Sequence, residues 1–286
     1  MTTVPELPEV EQVRRSLAAH VIGRRIVRVE LCRSDVVDFG NKKRHAAKAM
    51  RGALLEGHVI GSIDRHGKQL AVLSDDEASP ALCIHLGMTG SMAHLTPPLV
   101  PGAKKHTHVV WHLDNGRVIS FHDPRRFGGV WCFPNRAALV ASRWRCLGDD
   151  ALSIEPATLH ARLSRTTRGL KAALLDQTVV AGLGNIYVDE LLFARGLHPR
   201  RRANRLKRES VEHLVLAMRD LLTRAIASGG STLRNYVDAD GLAGGFQFEH
   251  RVYGRGGKQC CECQTSLRIQ QIAGRTTVYC PRCQRR

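Results

Sequence analysis

Hydrophobic residues recur at helical spacing near the start of the chain and then switch to short runs. Val10, Val13 and Leu17 share one helical face, and Gly23 stands where that helix would end. The runs that follow are rich in β-branched residues and are bounded by turn formers, and a turn at Asn115-Gly116 is typical of a tight hairpin. They predict strands over 26–31, 59–63, 70–73, 81–86, 109–113, 118–121 and 130–133. We therefore predict a β-sandwich or barrel opened by one helix.

The second half returns to helical spacing. Leu170 and Leu174 mark one helix, residues 186–194 a second and residues 209–228 a third. Residues 231–247 are polar and contain several glycines, which predicts a mobile loop. The predicted fold class is α+β, divided into an N-terminal domain (5–137), a linker (138–157), a helical domain (158–248) and a cysteine-bearing tail (249–286).

The charge of the chain restricts its partners. Lys and Arg number 43 against 26 acidic residues, which gives a net charge of +17. Such a charge favours a polyanion, and nucleic acid is the leading candidate. A membrane is not expected, because no apolar run approaches the length of a membrane span and no signal peptide is visible. Nine cysteines in 286 residues do not form a disulfide-rich pattern, so we expect a cytoplasmic protein.

The C-terminal tail contains two Cys-x-x-Cys pairs, Cys260/Cys263 and Cys280/Cys283, separated by 16 residues. This spacing is typical of a structural zinc site on a β-hairpin. Cys261 is an extra thiol inside the first pair and could compete as a ligand. Arginines surround the hairpin, which favours a finger that binds nucleic acid.

The N-terminal stretch Pro5-Glu6-Leu7-Pro8-Glu9 joins two prolines to two acids. If Pro5 began the chain, its secondary amine would be a nucleophile for a carbonyl-level carbon, and Glu6 could transfer a proton. Here Met1 to Val4 precede Pro5, so its nitrogen is an amide. Taken alone, the stretch is equally typical of a helix start.

Three places in the first half have the chemistry of a DNA contact. Lys68 precedes a strand and could act on a phosphate or a proton, although a solvated edge charge is the commoner case. Met88 lies in a glycine-punctuated turn, where it could be a wedge between bases or a core residue. Arg125 and Phe127 lie in Asp-Pro-Arg-Arg-Phe-Gly, which could insert into DNA or form an ordinary surface turn. His106 follows two lysines and is a further candidate phosphate contact.

In the second half, a glycine-bearing turn at 181–184 leads into a helix at Asn185. Backbone N–H groups at a helix start bind phosphate, and Asn185 could add a side-chain donor. An ordinary helical hairpin is the alternative.

Five motifs occur in one order along the chain: Pro-Glu-Leu-Pro-Glu-Val-Glu from Pro5, His-Leu-Gly-Met-Thr-Gly-Ser from His85, Asp-Pro-Arg-Arg-Phe-Gly from Asp123, Gly-Leu-Gly-Asn-Ile-Tyr from Gly182, and the cysteine hairpin. Together they resemble the bacterial formamidopyrimidine-DNA glycosylases, from Pro5 to the C-terminus. The similarity to the sister family, endonuclease VIII, is weaker, because its opening and its intercalation loop differ.

The resemblance implies an N-terminal β-sandwich, a helix–two-turn–helix domain and a zinc finger holding one structural Zn²⁺. It implies a monomeric glycosylase and AP lyase that excises oxidised purines from damaged double-stranded DNA and cuts the strand by β,δ-elimination. The residue roles that it implies are the following. Pro5 is the nucleophile, Glu6 protonates the sugar, and Lys68 and Arg275 assist β- and δ-elimination. Met88, Arg125 and Phe127 fill the gap left by the extruded base, and His106, Asn185, Arg234 and Arg275 contact DNA.

Two departures from the family pattern leave alternatives open. Arg234 stands where a lysine is expected, and four residues precede Pro5. One hypothesis is that Val4 is the true start, encoded by a GTG initiator codon, and that removal of the resulting Met exposes Pro5. Otherwise the chain would be a catalytically impaired paralogue, or Lys68 would supply a weak lyase amine. A zinc-dependent damaged-DNA-binding module without catalysis is the further alternative.

Overall fold

A computed structural model describes residues 4–40, 47–96, 105–233 and 236–285. The chain forms two compact units. The first extends to Cys146 and also includes Gly229–Gly244, and the second comprises Leu147–Ser228 and the chain from Gly245 onward. Among the described residues, no helix combines the length and the apolarity needed to cross a membrane.

The first unit opens with helix α1 (Leu7–Val21), which begins where the sequence predicts. Pro8 occupies the first turn, and Val10, Val13 and Leu17 are each 1% exposed because their helical face packs into the core. The helix ends at Ile22, and Gly23 follows in the left-handed conformation that glycine adopts at low cost.

Two sheets form the rest of the first unit. A four-stranded sheet has the order β1-β7-β8-β6, and a five-stranded sheet has the order β2-β9-β5-β4-β3. One cluster of buried side chains draws on both sheets and on α1, so the unit is a β-sandwich. The strands are β1 (Ile26–Leu31), β2 (Val37–Asp38), β3 (Ile60–His66), β4 (Gln69–Ser74), β5 (Ala81–His85), β6 (Ser91–Leu95), β7 (Thr107–Leu113), β8 (Val118–His122) and β9 (Gly129–Phe133).

All seven strands predicted from hydrophobic runs are present, and Asn115-Gly116 lies in the turn between β7 and β8 as predicted. Strands β2 and β6 were not predicted. The sequence of β6 is Ser-Met-Ala-His-Leu, in which polar and small residues hide the alternation. Its strand conformation comes from pairing with β8, which is a tertiary contact. Two short helices, α2 (Ala47–Ala53) and α3 (Arg136–Ser142), complete the unit.

The second unit contains four helices and a hairpin. The helices are α4 (Pro156–Ser164), α5 (Leu170–Leu174), α6 (Asn185–Ala194) and α7 (Arg208–Ala227), and the hairpin pairs β10 (Arg268–Ile272) with β11 (Arg275–Tyr279). Helix α7 confirms the predicted helix over 209–228 and packs against α4 and α6. Helix α6 also packs against β11, which brings the glycine-bearing turn and the cysteine hairpin together.

The division between units falls after Cys146, inside the predicted linker 138–157, where α3 occupies the first part of that stretch. Residues 229–244 group with the sandwich, although the sequence assigned them to the helical domain 158–248. The predicted domain limits therefore remain a prediction.

Candidate active site and metal centre

The start of α1 is held by a buried carboxylate. Glu6 and Glu9 form a capping box, in which the Glu9 carboxylate accepts a hydrogen bond from the Glu6 N–H at 2.8 Å. The other oxygen of Glu9 accepts the N–H of Ser231 at 2.7 Å. Glu6 and Glu9 are 3% and 2% exposed. Glu9 therefore joins the turn carrying Pro5 and Glu6 to a segment 222 residues away in the chain.

Two further contacts hold residues 229–244 against this helix start. The Tyr236 hydroxyl donates to the Glu9 carbonyl at 2.9 Å. Gly230 has a φ of +79°, and a Cβ at this position would lie 2.9 Å from the Glu9 carboxylate oxygen Oε1. Position 230 thus needs glycine both for its backbone conformation and for the close approach of Glu9.

An ion-pair cluster fixes α1 against strand β3. The Arg65 Nε lies 3.1 Å from Glu11, and Arg14 donates both to Glu11 and to the Ile63 carbonyl. Burial alone would raise the pKa of the Glu11 carboxyl, but hydrogen bonds from Arg14 and Arg15 and the charge of Arg65 lower it to about 2. Since Arg14 contacts residue 63 and Glu11 contacts residue 65, the helix start is directed toward the next turn of the hairpin.

That next turn contains Lys68. Strands β3 and β4 are joined by Gly67-Lys68, with His66 paired to Gln69 and Gly67 at a φ of +57°. Gln69 in turn pairs with His85. Burial lowers the pKa of His85 to about 4, and the charges of Arg143 and Lys68 lower it further. His85 is therefore neutral near pH 7, and Lys68 carries its charge beside it.

The loop that follows β8 is organised by Asp123, which is fully buried. Its carboxylate accepts the N–H groups of Gly128 at 2.8 Å and Arg125 at 3.2 Å, and it also accepts the Thr89 hydroxyl. The Asp123 carbonyl lies 2.7 Å from His108 Nε2. A single carboxylate thus connects the loop to the turn that carries Met88.

The two loops touch through glycine backbones. A Cβ on Gly87 would lie 2.3 Å from the Gly128 nitrogen, and a Cβ on Gly128 would lie 2.4 Å from the His85 carbonyl. Beside this contact the Arg125 guanidinium lies 4.5 Å from the centre of the Phe127 ring. Phe127 is 52% exposed, and Met88 is half-buried. The predicted wedge residues Met88, Arg125 and Phe127 therefore occupy two adjoining loops.

His106 is exposed and has a φ of +77°, an unusual value for a residue other than glycine. Its carbonyl accepts the Asp123 N–H at 3.1 Å, and its ring lies edge-on to His122 at 6.0 Å. The strained backbone is held by the same loop that presents Phe127, so His106 lies in the wedge region of the sandwich unit.

In the second unit, Gln177 shapes the turn before α6. Its amide oxygen accepts the Gly182 N–H at 2.9 Å, and its amide nitrogen donates to the Leu183 carbonyl at 2.8 Å. Asn185 is the first residue of α6 and donates to the Thr276 carbonyl at 2.8 Å. The Oδ1 atom of Asn185 is buried without a hydrogen-bond partner among the described residues.

Asn185 and Arg275 are brought together by this contact. Arg275 begins β11, is exposed, and directly precedes Thr276. Ala273 and Gly274 form the hairpin turn beside it, both with positive φ. The two residues predicted to bind phosphate in the second unit therefore lie next to each other, although 90 positions separate them in the sequence.

Two acidic residues of α6 fasten the hairpin to the helices. The Asp189 carboxylate pairs with Lys171 at 2.6 Å and accepts the Val278 N–H at 3.1 Å, and both charged side chains are buried. Burial raises the pKa of Asp189 to about 6, although Lys171 and the Val278 N–H favour its charged form. Glu190 accepts three consecutive N–H groups, those of residues 251, 252 and 253.

The four predicted metal ligands meet at the base of the hairpin. The sulfurs of Cys260, Cys263, Cys280 and Cys283 all lie within 4.8 Å of one another, whereas Cys261 is exposed and outside the group. The Cys260–Cys283 and Cys263–Cys280 sulfur distances are 3.9 Å and 3.4 Å. Four sulfurs bound tetrahedrally at about 2.3 Å would be about 3.8 Å apart, so the group fits a zinc ion.

The thiols of this group have unequal pKa values. Hydrogen bonds from Thr265 lower the pKa of Cys263 to about 6, whereas burial raises those of Cys280 and Cys283. A cation would therefore be needed to hold all four as thiolates near pH 7.

Arg234 lies outside the described residues, so its predicted DNA contact remains a prediction. The sequence reasoning missed the residues that support the site, which are Glu9, Asp123, Gln177, Asp189 and Glu190. The spacing Glu6-x-x-Glu9 was a usable signal for a capping box, and two adjacent acids inside an apolar helix were a signal for buried anchors.

Comparison with known protein families agrees with this arrangement. Residues 4–130 match the family model for the formamidopyrimidine-DNA glycosylase N-terminal domain. Residues 147–237 match the model for the formamidopyrimidine-DNA glycosylase H2TH domain. The two models together cover both the wedge loops and the Asn185 turn.

Individual relatives match over nearly the whole chain. The formamidopyrimidine-DNA glycosylase of Desulfitobacterium hafniense is 41% identical over 283 residues, covering 98% of this chain and 100% of that protein. A Lactococcus lactis Fpg mutant in complex with a Fapy-dG containing DNA has a TM-score of 0.87 at 32% identity, covering 99% and 100% of the two chains. Lactococcus lactis Fpg with an abasic site containing DNA has a TM-score of 0.86 at 31% identity, covering 98% and 100%. The chain therefore belongs to the formamidopyrimidine-DNA glycosylase family of DNA repair enzymes.

Proposed function

We propose that this DNA glycosylase excises oxidised purines, such as 8-oxoguanine and formamidopyrimidines, from duplex DNA and then cleaves the abasic site by β,δ-elimination. It would act as a monomer in the bacterial cytoplasm. The observation that carries the proposal is the bridging role of Glu9, which binds both the Glu6 N–H and the Ser231 N–H. This contact joins the turn bearing the proposed nucleophile to the segment proposed to cover the extruded base.

In the proposed chemistry the Pro5 amine attacks C1′ of the lesion nucleotide, and the bond from C1′ to the base breaks while Glu6 protonates the sugar. The product is an iminium between Pro5 and the opened sugar. Its electron demand acidifies the neighbouring C–H, so the 3′ phosphate leaves by β-elimination and the 5′ phosphate by δ-elimination. Lys68 would donate a proton in the first elimination and Arg275 would assist the second.

This chemistry requires Pro5 as a free amine. An α-amino group titrates near pH 8, so a fraction is neutral and nucleophilic at cellular pH. With Val4 attached, the Pro5 nitrogen is an amide and cannot attack. We therefore propose that the active form begins at Pro5. The intact mass of the protein from its native host tests this, because retention of residues 1–4 would contradict it.

Base extrusion is the second requirement, because the target bond is inaccessible inside the duplex. Met88, Arg125 and Phe127 lie on two loops that Asp123 ties together. Their proposed role is to occupy the space left by the base and so offset the lost stacking. The exposed Phe127 ring beside the Arg125 guanidinium has the form that such a wedge needs.

In the second unit, Asn185 and Arg275 would bind phosphates beside the lesion, and His106 and Arg234 would add DNA contacts in the first. Zn²⁺ held by Cys260, Cys263, Cys280 and Cys283 would stabilise the hairpin on which Arg275 is carried. Its proposed role is structural, because four thiolates would leave no open coordination position.

Borohydride trapping tests the proposal. Protein prepared to begin at Pro5 is mixed with duplex DNA carrying one 8-oxoguanine, and the iminium is reduced to a stable adduct. We expect an adduct with this protein and none with a matched protein that retains residues 1–4. A Lys68→Ala variant beginning at Pro5 should still form the adduct but cut the strand more slowly.

A catalytically silent damaged-DNA-binding protein is the second candidate, and the Val4–Pro5 peptide bond favours it as long as residues 1–4 are retained. Tight binding to lesion DNA without any adduct, even from the protein beginning at Pro5, would establish this candidate and remove the catalytic roles.

A further inference from the structure

Two histidines and an aspartate meet in the sandwich unit, outside the residues assigned above. His20 lies in the last turn of α1, His94 in β6, and Asp240 in a turn of the 229–244 segment. The imidazole rings are stacked with centroids 4.1 Å apart. The Asp240 Oδ1 lies 3.0 Å from His20 Nε2 and 3.8 Å from His94 Nδ1.

The hydrogen bonds of this cluster are incomplete. Arg117 Nη1 lies 3.0 Å from His20 Nδ1, which therefore accepts, so His20 Nε2 carries the proton donated to Asp240. His94 Nδ1 is too far from Asp240 for a hydrogen bond, and its Nε2 is buried without a partner among the described residues. Half-buried imidazoles usually satisfy at least one nitrogen, so the His94 ring is an exception that needs an explanation.

We propose that His20, His94 and Asp240 form a second metal site, which takes one divalent transition-metal ion of the zinc type. Two imidazole nitrogens and one carboxylate are the ligands of many such sites, which keep a fourth position for water. Ligand atoms bound tetrahedrally at about 2.0–2.1 Å would be about 3.4 Å apart. The observed separations of 3.0 Å and 3.8 Å lie on either side of that value.

The electrostatics have one favourable and one opposing component. Burial lowers the pKa of His94, and the neighbouring His20 and Arg117 lower it further, so the ring is neutral and able to bind a metal near pH 7. Arg117 opposes binding, because a metal on His20 Nε2 moves the ring proton to Nδ1, where it faces the guanidinium. Arg117 is half-exposed and can turn toward solvent, but that rearrangement lowers the affinity.

The site would fasten the turn that carries Asp240 to the sandwich. This turn is already attached, because Ala239 accepts the His94 N–H at 2.9 Å and donates its own N–H to the Ser16 hydroxyl at 3.0 Å. Ala239 is 2% exposed and packs in the sandwich core. A metal would add a bond between side chains of three elements, and on the proposed function it would restrain the segment over the extruded base.

The experiment uses full-length protein whose cysteine site is already filled with zinc. Cobalt(II) is titrated and followed by its visible absorption, since it binds nitrogen and oxygen ligands but does not displace zinc from thiolates by affinity. We expect one equivalent of cobalt with the spectrum of a nitrogen- and oxygen-ligated ion. His20→Ala and His94→Ala should each weaken binding at least about tenfold, the scale of losing one contributor to a metal site.

Arg117→Gln provides the test specific to this geometry, because it removes the opposing charge and offers an oxygen to the Nδ1 proton. We expect tighter cobalt binding in this variant. His112→Ala is the matched control, since His112 also pairs with a carboxylate, Glu30 at 2.9 Å, and has an arginine, Arg28, beside it. This control should bind cobalt as the unaltered protein does.

Absence of a second equivalent would overturn the proposal, as would binding that survives both histidine substitutions. If a histidine variant does not fold, Asp240→Asn on the exposed turn serves in its place and should also weaken binding. Slower hydrogen exchange at the Ala239 amide on adding metal would confirm the restraint of the turn. These readouts do not use DNA, so their result is independent of whether the glycosylase chemistry is correct.

Discussion

The sandwich unit and the cysteine hairpin both present charged side chains on short turns, but different interactions hold those turns. In the sandwich, Lys68 and the wedge loops extend from strands whose core includes residues of both sheets and of α1. The hairpin has a core of six buried residues, two of which are the metal-ligand candidates Cys260 and Cys280. The comparison teaches that the hairpin must be held by thiolate–metal bonds and by carboxylates of α6, because its apolar surface is too small.

Metal removal should produce the largest effect and separate the two regions. Stripping the cysteine site with a chelator should unfold the hairpin, since zinc contributes about 10–16 kcal/mol to folding in zinc-finger peptides. The Val278 amide, which is bonded to Asp189, should lose hydrogen-exchange protection, whereas the Trp111 amide of the sandwich should keep it. Simultaneous loss of protection at both amides would show that the sandwich also depends on the metal.

Asp189→Ala should follow in size. The change leaves the Lys171 ammonium buried without its partner and removes the acceptor of the Val278 N–H, at a cost of about 3–5 kcal/mol. The matched control in the sandwich is Asp64→Ala, which breaks the exposed pair with Arg136 and should cost less than about 1 kcal/mol. Denaturant unfolding of both variants measures the difference, and equal costs would contradict the contrast between buried and exposed pairs.

The Glu11 cluster predicts how the sandwich responds to acid. The folded pKa of Glu11 is about 2, below its ordinary value of 4.5. Its contribution is therefore complete above pH 4.5 and is lost as the pH falls toward 2. The shift corresponds to about 2–4 kcal/mol. Glu11→Gln should flatten the pH dependence of the unfolding free energy in this window, and an unchanged slope would exclude Glu11 as its source.

The smallest effect on stability is expected at the tip of the wedge. Phe127→Ala removes an exposed ring and should change the unfolding free energy by less than about 0.5 kcal/mol. Excision of 8-oxoguanine by protein beginning at Pro5 should nevertheless slow about tenfold or more, because wedging offsets unstacking that costs a few kcal/mol.

Asp123→Ala sharpens the same contrast. It leaves the Gly128 and Arg125 N–H groups without their acceptor and should lower both stability, by about 1–3 kcal/mol, and excision. Full excision by the Phe127 variant on lesion duplex would show that this ring is not part of the wedge.

Several features could be predicted from the sequence because they depend on neighbouring residues. Hydrophobic spacing predicted α1, seven strands and α7, and the β7–β8 hairpin followed from Asn115-Gly116. The two Cys-x-x-Cys pairs predicted a four-sulfur group because each pair is a local turn. Strand β6 could not be found in this way, since its conformation depends on β8 rather than on its own side chains.

By itself the sequence determined which chemical groups are present and which short segments carry them. Only the tertiary structure decided which groups meet: Glu9 with Ser231, Asn185 with Thr276, and His20 with His94 and Asp240. The physical reason is that a buried hydrogen bond or ion pair joins atoms by distance and desolvation, and chain folding brings together residues that local periodicity does not relate. The support of the candidate site therefore became visible only once the sheets and helices were packed.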